Sequence, residues 1–151
     1  GIDPGWRHVG WGAIAYGRGQ FRHLANGVWK PSPRSPHKSL REELRQLLEN
    51  YRPGNVYLER LYFQKNARSA MQVAEMRGVI LAEVTFHEIP VVELSPTTIK
   101  LNLCGHGHAA KEAVSRMVQM ILEIPLPQSS HASDALAIAI AGCLKGGIGS
   151  P

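Results

Sequence analysis

The sequence predicts an α/β protein with one mixed sheet, in which antiparallel strands come first and parallel strands follow. Early segments rich in β-forming residues are joined by a glycine-containing turn. Later strand segments alternate with helical segments whose apolar residues recur every three or four positions. The 151 residues are 44% hydrophobic and 19% charged, which is enough apolar content to predict one compact domain over residues 1–151. Intrinsic disorder is therefore not expected.

The first three strands are predicted to form an antiparallel meander. Ile2 and Asp3, followed by Pro4 and Gly5, are typical of a strand end and a turn. Residues 10–16 and 21–29 have the composition of two further strands, and the Gly-Arg-Gly segment at 17–19 is a turn between them.

Helices and strands alternate in the middle of the chain. After a proline-rich loop at 31–36, Pro36 is well placed to begin a helix, because proline suits the first helical position. The apolar face of this helix carries Leu40, Leu44, Leu47, Leu48 and Tyr51. Residues 56–59 form a short strand, and the crossover helix before it implies parallel pairing.

The last part of the chain is mostly helical in this prediction. Asn66 caps a long helix that runs to about Phe86, residues 91–94 form the fifth strand, and a short helix begins near Pro96. A further helix is marked by Val114, Met117, Val118, Ile121 and Leu122. The final helix, about 130–144, is apolar almost all round and should be buried. The methionines at helical spacing are expected to pack, namely Met71, Met76, Met117 and Met120.

Charge and cysteine content narrow the class of protein. Lysine and arginine number 17 against 12 acidic residues, a net charge of +5, which favours a polyanionic partner such as nucleic acid. Cys104 and Cys143 stand alone, which argues against a disulfide framework. No apolar run is long enough to span a membrane, and the first residues do not resemble a signal segment, so a cytoplasmic protein without membrane contact is expected.

Two acidic residues end predicted strands, where ligands of open α/β sheets gather. Asp3 ends the first strand, although an aspartate before Pro-Gly is also ordinary turn chemistry. Glu59 ends the strand at 56–59, and its alternative interpretation is an ion pair with Arg60.

His131 and Asp134 lie three residues apart at the head of the final helix, so both side chains share one face. Capping by Ser130 and a favourable helix dipole could explain Asp134 alone. A carboxylate packed against a sheet is nevertheless costly without a cation or donors. Three carboxylates and an imidazole suit Mg²⁺ or Mn²⁺, and a pair of such ions can support phosphodiester hydrolysis.

These motifs together resemble the RuvC-type Holliday-junction resolvases. The resemblance covers essentially the whole chain in order. It rests on Gly1-Ile2-Asp3-Pro4-Gly5 with Gly10 and Gly12, Glu59 followed by Lys65-Asn66-Ala67, Arg77-Gly78, Gly105-x-Gly107-x-Ala109-x-Lys111, and His131-Ala132-Ser133-Asp134-Ala135. It implies an RNase H-like mixed five-stranded sheet flanked by helices, with three antiparallel strands followed by two parallel ones.

The same resemblance implies the chemistry and the partners. The metal-binding catalytic set would be Asp3, Glu59, His131 and Asp134, holding Mg²⁺ or Mn²⁺, with two ions per site. Histidine at 131 stands where some members of the family have aspartate, which lowers the negative charge of the site by one. The implied partners are four-way junction DNA, a second copy of the chain in a homodimer, and branch-migration helicases of the same pathway.

The resemblance also points to residues that contact DNA. Tyr62, beside Phe63, occupies the place of an aromatic residue that pushes against bases at the junction centre, although core or dimer packing is an alternative. Further contacts are expected from Lys65, Asn66, Lys100 and Lys111. For Lys100 and Lys111 the alternative is an ordinary solvated helix lysine.

The sequence thus predicts a metal-dependent endonuclease that resolves Holliday junctions by paired nicks of opposed strands, in homologous recombination and repair. Two other classes stay open at this stage. One is a catalytically silent module that only binds junctions. The other is one lobe of an actin-like ATPase or sugar kinase, built on the same order of strands and helices.

Overall fold

A computed structural model of the chain describes residues 1–60 and 67–147. Its elements follow the predicted order. They are β1 (Ile2–Asp3), β2 (Val9–Gly17), β3 (Gln20–Trp29), α1 (Pro36–Tyr51), β4 (Val56–Glu59), α2 (Ala67–Phe86), β5 (Val91–Leu94), α3 (Pro96–Cys104), α4 (Lys111–Leu122) and α5 (Ser130–Gly147). The predicted cap of α2, Asn66, lies outside the described residues.

The strands form one five-stranded sheet in the order β3-β2-β1-β4-β5. β1 and β3 each pair with β2 in antiparallel fashion, whereas β1 with β4 and β4 with β5 are parallel. The hairpin between β2 and β3 turns at Arg18 and Gly19, whose φ angles of 52° and 76° are typical of a tight hairpin turn. The predicted mixed sheet is confirmed.

Helices cover both faces of the sheet and divide the core in two. One half lies under α1 and α2 and includes Ile2, Leu40, Leu44, Leu48, Leu58, Met76, Ile80 and Val84. The other half lies between the sheet and α3, α4 and α5 and includes Leu94, Ile99, Val118, Leu136 and Ile140. Helix α5 contacts all five strands, and residues 135–141 are buried, as the apolar sequence of this helix predicts.

Apolar periodicity overstated burial at three positions. Tyr51, at the end of α1, is 39% exposed and lies beside the ring of Trp11. Met71 and Met120 are 66% and 71% exposed, so the prediction that these methionines pack in the core is wrong. Each lies on the outer side of its helix, where no second layer of the described chain covers it.

Cys104 and Cys143 are free thiols. None of the described helices combines the length and the apolar character needed to cross a bilayer.

Candidate active site

The register of β1 and β4 brings Asp3 and Glu59 side by side. Ile2 pairs with Leu58 in the parallel ladder, and both point into the core half under α1 and α2. Because side chains alternate along a strand, the next residues, Asp3 and Glu59, point to the opposite face, toward α5. The two acids therefore share one edge and one face of the sheet, as their strand-end positions predict.

Helix α5 brings the other two candidate residues to the same place. Gly10 of β2 pairs with Asp3, and a Cβ atom at this position would collide with the main-chain carbonyl of His131. The missing side chain lets the first turn of α5 approach the sheet beside Asp3. Asp134 follows one turn later on the same face of the helix as His131.

Two hydrogen bonds and one cavity define the site. His131 Nδ1 lies 2.9 Å from Asp3 Oδ2, and Lys111 Nζ donates to Asp134 Oδ2 over 2.7 Å. A cavity of about 240 Å³ is lined by Glu59, Lys100, Lys111, Asp134, Pro96, Ile99, Val114, Ala137 and Ile138. Lys100 and Lys111 therefore flank the acids, as predicted, rather than standing on a remote helix face.

The electrostatics of the site are those of crowded carboxylates. Burial, together with the neighbouring charges of Asp3 and Asp134, raises the pKa of Glu59 to about 7, and the charge of Lys111 opposes this rise. Burial also raises the pKa of Asp3, and the charge of Asp134 raises it as well. The hydrogen bond with His131 lowers this pKa and so opposes both effects. The hydrogen bond to Asp134 raises the pKa of Lys111. A second cation would relieve the remaining repulsion between the acids.

The donor set fits a hard divalent cation. Carboxylate oxygens suit Mg²⁺ or Mn²⁺, and an imidazole whose Nδ1 donates to a carboxylate keeps Nε2 available as a ligand. Within residues 1–60 and 67–147, no three or more His, Cys, Asp or Glu side chains are already arranged around a common metal position. Of the four candidate ligands, Glu59 and Asp134 line the cavity, whereas Asp3 and His131 lie outside its lining, and Lys111 pairs with Asp134.

Other predicted contacts have mixed outcomes. Arg60 lies 3.8 Å from Glu93, and Arg77 also pairs with Glu93, so the structure favours neither arginine as the partner of Glu59. The predicted DNA contacts Tyr62, Phe63, Lys65 and Asn66 lie outside the described residues.

His8 lies next to the site, although it is not among the site residues predicted from the sequence. Its ring stacks on that of His131, with centroids 5.7 Å apart and planes 14° from parallel. The sequence carries no signal for this contact beyond the place of His8 in the loop after Asp3. Stacking between residues so far apart in the chain depends on the tertiary fold.

Comparison with known proteins agrees with this geometry. The family model described as crossover junction endodeoxyribonuclease RuvC matches residues 1–142. The RuvC of Thermosipho melanesiensis is 37% identical over 144 residues, which span 92% of this chain and 92% of that protein. The RuvC of Thermomicrobium roseum is 38% identical over 145 residues, covering 93% of this chain and 88% of that protein.

Solved structures extend the likeness to the fold. The structure of T. thermophilus RuvC in complex with a Holliday junction substrate superposes with a TM-score of 0.92 at 35% identity, over 98% of this chain and 93% of that one. The yeast mitochondrial Holliday junction resolvase Ydc2 has a TM-score of 0.66 at 14% identity, over 97% of this chain and 81% of that one, and shows the shared fold alone. The sheet is thus the RNase H-like one that the resemblance implies, and the chain belongs to the RuvC family of crossover junction endodeoxyribonucleases.

Proposed function

We propose that this chain resolves four-way DNA junctions by hydrolysing one phosphodiester in each of two opposed strands, with Asp3, Glu59, His131 and Asp134 holding the metal. The observation that carries the proposal is that Glu59 and Asp134 line one cavity with Lys100 and Lys111, while Asp3 lies close enough to raise the pKa of Glu59. A site built only to bind an anionic strand gains nothing from partly buried acids, which repel phosphate. The same acids are useful where a divalent cation mediates the contact.

The family is metal-dependent in general, and we propose Mg²⁺ or Mn²⁺, two ions per site, as the ions this cleft takes. Bound there, the ions would supply an activated water and neutralise charge on the leaving oxygen. Glu59 and Asp134, which both line the cavity, would hold the ions. Asp3 would offer the oxygen that its bond to His131 leaves free, and His131 would offer Nε2.

The two lysines have a separate role in this proposal. Lys100 and Lys111 line the cavity, and the side chain of Lys111 is 58% exposed. Their ammonium groups would hold the phosphates next to the scissile bond, against the repulsion of the acids. Tyr62 and Phe63 would stack on junction bases, with Lys65 and Asn66 contacting the backbone nearby, as the resemblance implies.

The decisive experiment measures nicking of a synthetic four-way junction with Mg²⁺ and with Mn²⁺. The wild type and the exposed control Glu43→Gln should give paired nicks in opposed strands. Asp3→Asn, Glu59→Gln and Asp134→Asn should lose cleavage by at least about a thousandfold, while junction binding is retained and the thermal midpoint does not fall below that of the wild type. Absence of nicked product from the wild type with both ions would instead identify a module that only binds junctions.

We also propose the homodimer that paired nicking requires, with α2 at its interface. Met71 and Phe86 are 66% and 75% exposed, and the exposed small residues Ala74, Gly78 and Ala82 lie between them on the outer side of α2. Such a surface allows two helices to approach closely. Sedimentation equilibrium at micromolar concentration should give twice the chain mass, and Met71→Glu with Phe86→Glu should give the monomer. A monomeric wild type would contradict the dimer.

Contact with branch-migration helicases stays a prediction from the family.

A further inference from the structure

The ring of His8 stacks on that of His131, and the proposed role of His131 as a metal ligand does not explain this contact. The two rings are nearly parallel, at 14°, with 5.7 Å between centroids. Stacking covers a face of the His131 ring, whereas both ring nitrogens bond within the ring plane. The stack therefore leaves Nδ1 free to meet Asp3, 2.9 Å away, and leaves the edge with Nε2 open.

The loop that carries His8 is tightly determined by its neighbours. A side chain at Gly5 would collide with the main-chain carbonyl of His8, so the turn after Asp3 closes only with glycine at this position. Val9, directly after His8, is fully buried and begins β2. These two residues fix the main chain on both sides of His8 and so place its ring beside α5.

His131 needs such support because little else holds its ring. Its side chain is 42% exposed, and its terminal torsion belongs to the class with broad, weakly preferred angles. The hydrogen bond to Asp3 fixes one nitrogen but leaves the ring free to pivot about that bond. A parallel ring on one face removes this freedom.

We propose that His8 is a positioning residue, whose ring holds the His131 imidazole in the plane that joins Nδ1 to Asp3 and leaves Nε2 open as a ligand. The role belongs to the face of the ring and not to its nitrogens. An aromatic ring without nitrogen should therefore replace it, and an aliphatic side chain should not. The catalytic consequence rests on the proposed function, whereas the effect on His131 does not.

The test compares His8→Ala and His8→Phe with the wild type, and uses His23→Ala, which alters a histidine on β3 away from this contact, as control. Single-turnover nicking of a four-way junction should fall about tenfold in His8→Ala, with the junction Kd within about twofold of wild type. His8→Phe should restore the rate to within about threefold, and the control should match the wild type. NMR of ¹³C- and ¹⁵N-labelled histidine, at one pH and without added metal, should show one His131 ring tautomer in the wild type and in His8→Phe, and exchange broadening in His8→Ala.

Two results would overturn the proposal. A nicking rate equal to that of the wild type, together with an unchanged His131 spectrum in His8→Ala, would show that the His8 ring does not restrain the His131 ring. A defect in His8→Phe equal to that in His8→Ala would assign the role to the ring nitrogens. If the wild type does not nick junctions at all, the proposed function fails, and the NMR comparison still decides whether His8 positions His131. Equal thermal midpoints exclude misfolding as the cause of any difference.

Discussion

Glu59 gives the site a measurable dependence of stability on pH. Its pKa is about 7 in the folded protein, against an ordinary value of 4.5, because burial and the charges of Asp3 and Asp134 oppose its ionisation. The folded chain therefore binds more protons at this carboxyl than the unfolded chain does in the interval between those two values. The stability contributed by Glu59 is present at low pH and is lost as the pH rises through about 7.

The substitution Glu59→Gln removes this titration and keeps the shape of the side chain. The full shift corresponds to about 3 kcal/mol between the two limits, and partial exposure to solvent reduces the expected effect to about 1–2 kcal/mol. Relative to wild type, Glu59→Gln should therefore gain about 1–2 kcal/mol in free energy of unfolding between pH 5 and pH 8. Asp3 titrates in both proteins, so its contribution largely cancels in the difference.

The assay is urea denaturation in chelator-containing buffer of constant ionic strength, at pH values from 5 to 8. Glu43→Gln, on the exposed side of α1, is the matched control and should follow the wild type throughout. Adding Mg²⁺ at pH 8 should stabilise the wild type more than Glu59→Gln, because the ion replaces the proton as the counter-charge. Parallel curves for the two proteins, or a wild type that gains on the variant as pH rises, would refute the reasoning.

Three further predictions follow from packing and charge. Lys100→Ala and Lys111→Ala should each weaken junction binding and reduce the log–log salt slope by about one, as fluorescence anisotropy at several salt concentrations measures; an unchanged slope would show that the lysine contacts no phosphate. Gly10→Ala should destabilise the fold by about 1–3 kcal/mol, because the added methyl group meets main chain, whereas Gly17→Ala, with open space around it, should lose far less in the same melting experiment. Leu136→Ala should cost about 2–5 kcal/mol in urea denaturation, because Leu136 is fully buried between α5 and the sheet; a loss below about 1 kcal/mol would show that the core there is loose.

Most of the fold can be predicted from the sequence because its signals are local. The turn at Arg18 and Gly19 and the leucines of α1 lie within one element or one hairpin, where spacing decides the structure. Burial of a helix face is not local. Tyr51, Met71 and Met120 have helical periodicity, yet only the arrangement of the other layers determines whether anything covers them.

For the candidate site, too, the sequence predicts the local features and not the tertiary contacts. Asp3 and Glu59 could be placed together from the sequence, because both end strands whose order implies neighbouring edges. The hydrogen-bond partners of the charged side chains could not be predicted from the sequence. Lys111 pairs with Asp134 across 23 positions of the chain and His131 with Asp3 across 128, so each contact depends on how α4 and α5 pack rather than on any spacing.

The cleft also explains why so much of α5 is buried. Asp3 and Glu59, whose pKa values are raised by burial and by neighbouring acids, destabilise the folded chain near neutral pH, and the surrounding core must offset that cost. Residues 135–141, directly after Asp134, are almost completely excluded from solvent and contact the sheet along their length. A helix with a polar outer face would bury less apolar area and could hold the acids together less firmly. The substitutions that abolish the charge of Glu59 should accordingly stabilise the protein at pH 8 and inactivate it, which is the expected relation when like charges are gathered for function at the expense of stability.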